Sequence, residues 1–262
     1  MLSISTFAGV PSKTILVFGD SLSEGFMLRR SEAYPALLAK KLRAAGLNFQ
    51  VINASASGGT TEGGLERLPP HLKHRIDIFI LELGINDAFR GLSIDQIQHN
   101  LQQIIDKVKA RNPNVRVVIA GMQLPNYAAD DYVSAFGKMF ADLATRNNAA
   151  LVPYLLQGVA GDPSLNLSDS IHPNAAGQKF LPKTSGACSN QSPGRLMSCH
   201  PEQSEGPPRR SLDHTNDKEE SQFFCETLLP RLRDQDDCLL QPRARSRTLD
   251  KKSHGPSSTK RS

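Results

Sequence analysis

The sequence predicts an α/β fold, a three-layer α/β/α sandwich around a five-stranded parallel sheet of the flavodoxin kind. Five short apolar runs, at residues 15–18, 51–53, 76–83, 115–120 and 149–154, alternate with stretches of helical period. Strands separated by helices of ten or more residues pair in parallel through right-handed crossovers, with helices over both faces. The first run, Ile15-Leu16-Val17-Phe18, is apolar throughout rather than alternating, as a strand covered on both faces must be.

The first strand stops at Gly19-Asp20-Ser21, where glycine permits a sharp exit. A helix is expected to start there, capped by Ser21 or Ser23. A serine so placed lies at the carboxyl end of a strand, where open α/β sheets bind ligands. Residues 31–45 put Tyr34, Leu37, Leu38 and Leu42 on one helical face, with Gly46 as the stop. The second strand runs into Ala54-Ser55-Ala56-Ser57-Gly58-Gly59-Thr60-Thr61, small residues that let the backbone approach a ligand. A helix within 62–72 is interrupted or ended by Pro69-Pro70.

The third strand ends in Gly84-Ile85-Asn86-Asp87, expected as a loop. Ser93 then caps a long helix on which Ile94, Ile97, Leu101, Ile104, Ile105 and Val108 keep the period, and Asn112-Pro113-Asn114 breaks it. The fourth strand leaves through Gln123-Leu124-Pro125-Asn126-Tyr127. Tyr132, Phe136, Met139, Phe140 and Leu143 mark the next helix as core rather than as a cofactor site.

Composition excludes several function classes. The 262 residues carry a formal charge of +5, are 39% hydrophobic and contain no tryptophan. The basic residues are spread along the chain without an aromatic-interleaved patch, so no nucleic-acid partner is expected. No apolar run reaches the roughly 18 residues of a membrane span. The four cysteines, Cys188, Cys199, Cys225 and Cys238, fit neither a redox motif nor a zinc knuckle, so no metal is expected. Residues 1–13 read as an N-terminal extension without a basic n-region. Its bearing on compartment is open: periplasmic or secreted if a signal has been lost, cytoplasmic otherwise. From residue 183, Ser, Pro, Gln and charged residues dominate to Ser262, a composition that cannot bury enough surface to order itself. The expected organisation is a folded domain over 14–182 and a disordered tail over 183–262, as a monomer.

Chemistry enters through four short blocks. Three strand ends carry Ser21, Gly58 and Asn86, and Asp169-Ser170-Ile171-His172-Pro173 follows the last strand. Asp and His three apart on a turn can meet, so that the carboxylate orients the imidazole while the other ring nitrogen faces a serine. Each block alone has a plainer reading: a cap, a turn, a loop hydrogen bond or a surface histidine.

Together, Gly19-Asp20-Ser21-Leu22-Ser23, Asn53-Ala54-Ser55-Ala56-Ser57-Gly58, Gly84-Ile85-Asn86-Asp87 and Asp169-Ser170-Ile171-His172-Pro173 resemble the SGNH, or GDSL-type, hydrolases. The resemblance runs from about Thr14 to Gln178 and is strongest to the bacterial arylesterase and thioesterase I/lysophospholipase L1 branch. It implies Ser21 as nucleophile, His172 as general base and Asp169 as its orienter. It also implies an oxyanion hole from the backbone N–H of Ser21, the backbone N–H of Gly58 and the Asn86 amide. Asp20 and Asp87 are assigned to loop hydrogen bonding. The implied activity is hydrolysis of short- to medium-chain esters, thioesters or lysophospholipids without metal or cofactor, with Phe89, Leu124, Pro125 and Tyr127 flanking the substrate.

Two departures stand out. Ile85 occupies a position where many relatives have glycine. The apolar helix expected after His172 begins at Gln178-Lys179-Phe180-Leu181 and is cut short by Pro182. The stretch Ser198-Cys199-His200-Pro201-Glu202-Gln203-Ser204-Glu205-Gly206 resembles translated intergenic repeat, so the tail is expected to be non-native, leaving the seating of the His172 turn open. Two other activities stay open: carbohydrate O-deacetylation, and a flavodoxin-like binding module whose Gly-Asp-Ser loop cradles phosphate.

Overall fold

In the computed structural model, which describes residues 12–125 and 129–181, five parallel strands lie in the order β2-β1-β3-β4-β5. They are β1 (Lys13–Gly19), β2 (Phe49–Asn53), β3 (Ile78–Glu82), β4 (Arg116–Ala120) and β5 (Ala150–Val152). The central strand β3 is buried at every position, the state its unbroken apolar run requires. The principal helices are α2 (Tyr34–Ala44), α3 (Thr61–Arg67), α5 (Ile94–Arg111) and α6 (Asp130–Asn147); α1 (Ser21–Glu24), α4 (Ile85–Phe89) and α7 (Ala175–Gln178) are single turns.

The strand order reverses at β1, since the chain steps one way to β2 and the other way to β3, β4 and β5. Right-handed crossovers therefore place α2 on one face and α3, α5 and α6 on the other. In agreement, α5 packs against both α3 and α6. Its stripe of Ile97, Leu101, Ile104, Ile105 and Val108 is wholly buried, and Ser93 opens it with a reciprocal capping box to Gln96. Phe18, Phe79, Phe136 and Phe140 fill the core, the last two edge to face at 5.3 Å. Such an order leaves a crevice at the carboxyl ends of β1 and β3, the usual ligand seat of doubly wound sheets.

Several local expectations are corrected. The cap of α1 is neither Ser21 nor Ser23 but Asp20, whose carboxylate accepts the Leu22 N–H at 3.0 Å; the two serine hydroxyls are engaged elsewhere. Gly84-Ile85-Asn86-Asp87 is not a loop. Gly84 adopts φ +124°, open to glycine and strained for other residues, and the chain turns at once into α4. α2 begins at Tyr34 rather than at 31, with Pro35 in its first turn. Proline closes α3 as expected, but a 3₁₀ turn, Pro69–Lys73, continues from it. β5 is three residues rather than six, because only Val118 to Ala120 offer it a partner.

After β5 the chain returns across the top of the sheet to α7. Gln178 is fully buried there. It accepts the Tyr34 N–H at 2.8 Å and donates to the Leu22 carbonyl at 3.2 Å, which ties α7 to the starts of both α1 and α2. Leu181 is buried as well. At Gly177 an added methyl would sit 2.1 Å from the Leu165 carbonyl oxygen. Gly177→Ala is therefore expected to cost about 2–3 kcal/mol by overpacking, seen as a lower urea midpoint with an unchanged slope. The tail, its four cysteines, most of the N-terminal extension and Tyr127 lie outside the described residues.

Candidate active site

Two segments, the β1–α1 junction and the turn at 169–172, bring together the serine, histidine and aspartate singled out by the sequence. Ser21 is the first residue of α1, directly past the end of β1, and is 8% exposed. His172 Nε2 lies 2.9 Å from its Oγ although the two are 151 positions apart. The other ring nitrogen, Nδ1, lies 2.7 Å from Asp169 Oδ2. Such a chain can carry the hydroxyl proton to the imidazole while the carboxylate fixes the ring's tautomer and steadies its charge.

Short-range geometry builds the acid–base half of this trio. Asp169 Oδ1 accepts the N–H groups of Ile171 and His172 at 2.9 and 3.0 Å, an Asx-type turn of the kind aspartate favours. Burial opposes ionisation of Asp169, but the His172 and Ile171 N–H groups and the imidazole outweigh it and hold its carboxyl down at about 2. Ser170, between them, takes φ +58°, a conformation that costs a non-glycine residue of order 1 kcal/mol and is kept where surroundings enforce it. Here the Leu167 N–H to His172 carbonyl bond (2.7 Å) and the Asn166–Pro173 bridge clamp the turn from both sides. Asn174 caps α7 through its side-chain oxygen while its amide holds the Ser164 and Asn166 carbonyls. The seating of His172 thus rests on residues up to Gln178.

The β2–α3 loop is laid against the end of β1 by backbone bonds from Ala54 to Val17 and from Ala56 to Gly19. Arg67 supports it from beneath, donating to the Ala54 and Gly19 carbonyls with its guanidinium over the Phe18 ring. Gly58 takes φ +70° with nothing within 4 Å of where a side chain would start. Among the described residues, no acceptor meets the N–H of Gly58 or of Ser21. The Asn86 amide is differently placed, donating to Asp20 Oδ2 at 3.0 Å and to the Gly59 carbonyl at 3.1 Å. Asp87 holds the start of α3, accepting from the Thr61 N–H and hydroxyl, so its assignment to loop bonding stands.

Two residues that the sequence reading passed over also belong here. The Phe26 ring packs on the His172 imidazole with centroids 4.5 Å apart; no local pattern marks it, since only the turn after α1 carries it there. Glu82, the last residue of β3, is fully buried under Asp20. A charge-capable residue ending an otherwise apolar strand is a signal that could have found it. Burial pushes Asp20 up to about 6. Burial, and then the charge of Asp20, push Glu82 well above the usual carboxylate range.

The residues expected to flank substrate are mixed. Phe89 is half exposed at the end of α4, and Pro125 is exposed. Leu124 is only 7% exposed and packs into the core, so it offers little surface because the chain leaving β4 folds inward at that point. A cavity of about 660 Å³ opens instead beside α1 and the β2 edge, lined by Glu24, Phe26, Met27, Leu28, Val51 and Ser57 among others.

A doubly wound sheet with this trio at its switch point defines a class, the serine hydrolases of flavodoxin-like build. Within that class the chain belongs to the GDSL-like Lipase/Acylhydrolase family, which matches residues 17–180. It is 39% identical over 171 residues to "Esterase TesA" of Pseudomonas aeruginosa, covering 65% of this chain and 84% of that protein. It is 36% identical over 181 residues to "Thioesterase 1/protease 1/lysophospholipase L1" of Escherichia coli, covering 69% and 85%. A crystal structure of TesA superposes with a TM-score of 0.63 at 38% identity, covering 66% of this chain and 95% of that one. The chain is accordingly a carboxylic ester hydrolase.

Proposed function

We propose that the enzyme hydrolyses short- to medium-chain carboxylic esters, thioesters and lysophospholipids included, through an acyl-serine intermediate on Ser21. The observation that carries this reading is the continuous pair of contacts from Ser21 Oγ to His172 Nε2 and from His172 Nδ1 to Asp169. The names of the relatives, an esterase and a thioesterase/lysophospholipase, support the range of acyl substrates.

In this reading His172 takes the Ser21 proton as the hydroxyl attacks the acyl carbon, and returns it to the leaving alcohol or thiol. Water then enters by the same route in reverse and frees the acid. The negative oxygen formed in each half is met by the unengaged N–H groups of Ser21 and Gly58. The Asn86 amide supplies the third donor by exchanging its bond to the Gly59 carbonyl for one to the oxyanion, while Asp20 keeps its other hydrogen. Asn86→Ala is therefore expected to lower kcat by about 10²–10³ with KM little changed, measured by steady-state hydrolysis of p-nitrophenyl butyrate.

The reading is tested by labelling with an alkyl fluorophosphonate, followed by peptide mass spectrometry and turnover of p-nitrophenyl butyrate, p-nitrophenyl decanoate and an acyl thioester. Expected are a single adduct on the Ser21 peptide and higher kcat/KM for butyrate than for longer chains. An adduct on another residue, or folded protein that turns over none of the three, overturns it.

A further inference from the structure

Directly beneath the Ser21 turn lies a pair of carboxyl groups: Asp20, which holds the Asn86 amide, and Glu82, to which the reaction above gives no role. Asp20 and Glu82 are both without solvent exposure and stand within hydrogen-bonding reach of each other. Their oxygens are served unequally. Asp20 Oδ1 accepts the Leu22 N–H and Oδ2 accepts the Asn86 amide, each at 3.0 Å. Glu82 Oε2 accepts the Asp20 N–H at 3.1 Å and the Ser23 hydroxyl at 2.6 Å. Glu82 Oε1 is buried and meets no donor among the described residues.

Two carboxylates in contact in a dry site do not both stay ionised. The surroundings decide which one holds the proton. Asp20 accepts an N–H donor on each of its oxygens, whereas Glu82 accepts on Oε2 alone; the positive field of Arg67 from α3 acts on both carboxyls and does not choose between them. Toward Glu82, the Tyr34 hydroxyl of α2 lies 2.9 Å from Ser23 Oγ, and Ser23 of α1 donates in turn to Oε2. That hydroxyl chain occupies Oε2 and leaves Oε1 as the place for an acid proton. A carboxylate oxygen orphaned in the interior is costly; protonated, it becomes a donor in a pair whose other member can accept.

We propose that Glu82 is a positioning residue for the hydrolysis: as a neutral acid it donates to the Asp20 carboxylate, which in turn holds the Asn86 amide at the developing oxyanion. The neutral state also keeps a second negative charge out of the ground beneath that oxyanion, where it would oppose the transition state. This inference rests on the assignment of Asn86 as an oxyanion donor.

The test uses the full chain with Glu82→Gln, Glu82→Leu and infrared spectroscopy at neutral pH. Glutamine keeps a donor toward Asp20 and an acceptor for Ser23 and the Asp20 N–H, so Glu82→Gln is expected to retain most of kcat. Leucine keeps the volume but no donor, and the misplaced amide is expected to cost about 10²-fold in kcat with KM little changed. The C=O stretch of a protonated carboxyl is expected in the parent protein and absent from Glu82→Gln. Should the leucine variant not fold, the glutamine variant and the spectrum still decide. A glutamine variant as damaged as Asn86→Ala, or a parent spectrum without the protonated band, overturns the proposal. Because the band does not depend on turnover, it separates this failure from failure of the acyl-serine mechanism, which Ser21→Ala and the Ser21 label report.

Discussion

Ser21→Ala is expected to lower kcat for p-nitrophenyl butyrate by about 10⁶, and His172→Ala by about the same amount. The double variant should be no slower than either single one, because the two groups act as one unit and the second loss removes nothing still at work. The geometry requires this: among the described residues, the only base within reach of Oγ is His172 Nε2 at 2.9 Å. What remains is the rate supplied by binding and the oxyanion donors, about 10³–10⁴ above water. Neither change should unfold the protein. Ser21 Oγ caps nothing, since Asp20 performs that task for α1, and His172 lies in a turn held by backbone bonds and by Asn174. Circular dichroism beside the rates checks both parts. A double variant slower than each single one by the product of their losses would mean that serine and histidine act separately.

The second large effect belongs to Asp169. Asp169→Asn should reduce kcat by about 10³–10⁴ with KM nearly unchanged. An asparagine oxygen can still accept the Ile171 and His172 N–H groups, so the turn survives. Its amide, however, presents N–H where the imidazole Nδ1 needs an acceptor, and it no longer stabilises the imidazolium. Asp169 also leaves a mark on stability. Its folded-state carboxyl is held at about 2 against an ordinary 3.8, so folding favours the anion. The stabilisation is complete above the ordinary value and is lost as pH falls through 4 toward 2. Urea midpoints measured across that range should fall more steeply for the parent than for Asp169→Asn.

Much of this molecule is legible in local pattern. The alternation of apolar runs with helical periods identifies five parallel strands, because a residue's tendency to be covered on one face or two is written in its near neighbours. The blocks around Ser21, Gly58, Asn86 and His172 are likewise short, and the first three sit where a strand must end. The Asp169–His172 contact was readable for the same reason: three residues of turn suffice to bring a carboxylate to an imidazole.

Other features depend on groups far apart in the chain. Which residue caps α1 could not be told from Asp20, Ser21 and Ser23 alone, since all three are good caps; the choice fell to Asp20 once Ser21 had His172 as partner and Ser23 had Glu82. Leu124 reads as a loop residue free to touch substrate, and only packing turns it inward. Phe26 meets His172 across 146 positions, which no window contains. Gln178 is an ordinary polar residue in sequence and a buried strut between α7, Leu22 and Tyr34 in space.

The sequence by itself therefore determined the strand count, the parallel sheet and the chemical identity of the site, because these follow from short-range periodicity and from residues crowded at strand ends. The tertiary structure alone decided how the Ser21 turn is held, by burying Glu82 against Asp20 and tying Gln178 to the Leu22 carbonyl and the Tyr34 N–H. Burial is a property of the whole packed chain: it removes water from both carboxyls at once, and with the water goes their freedom to ionise together.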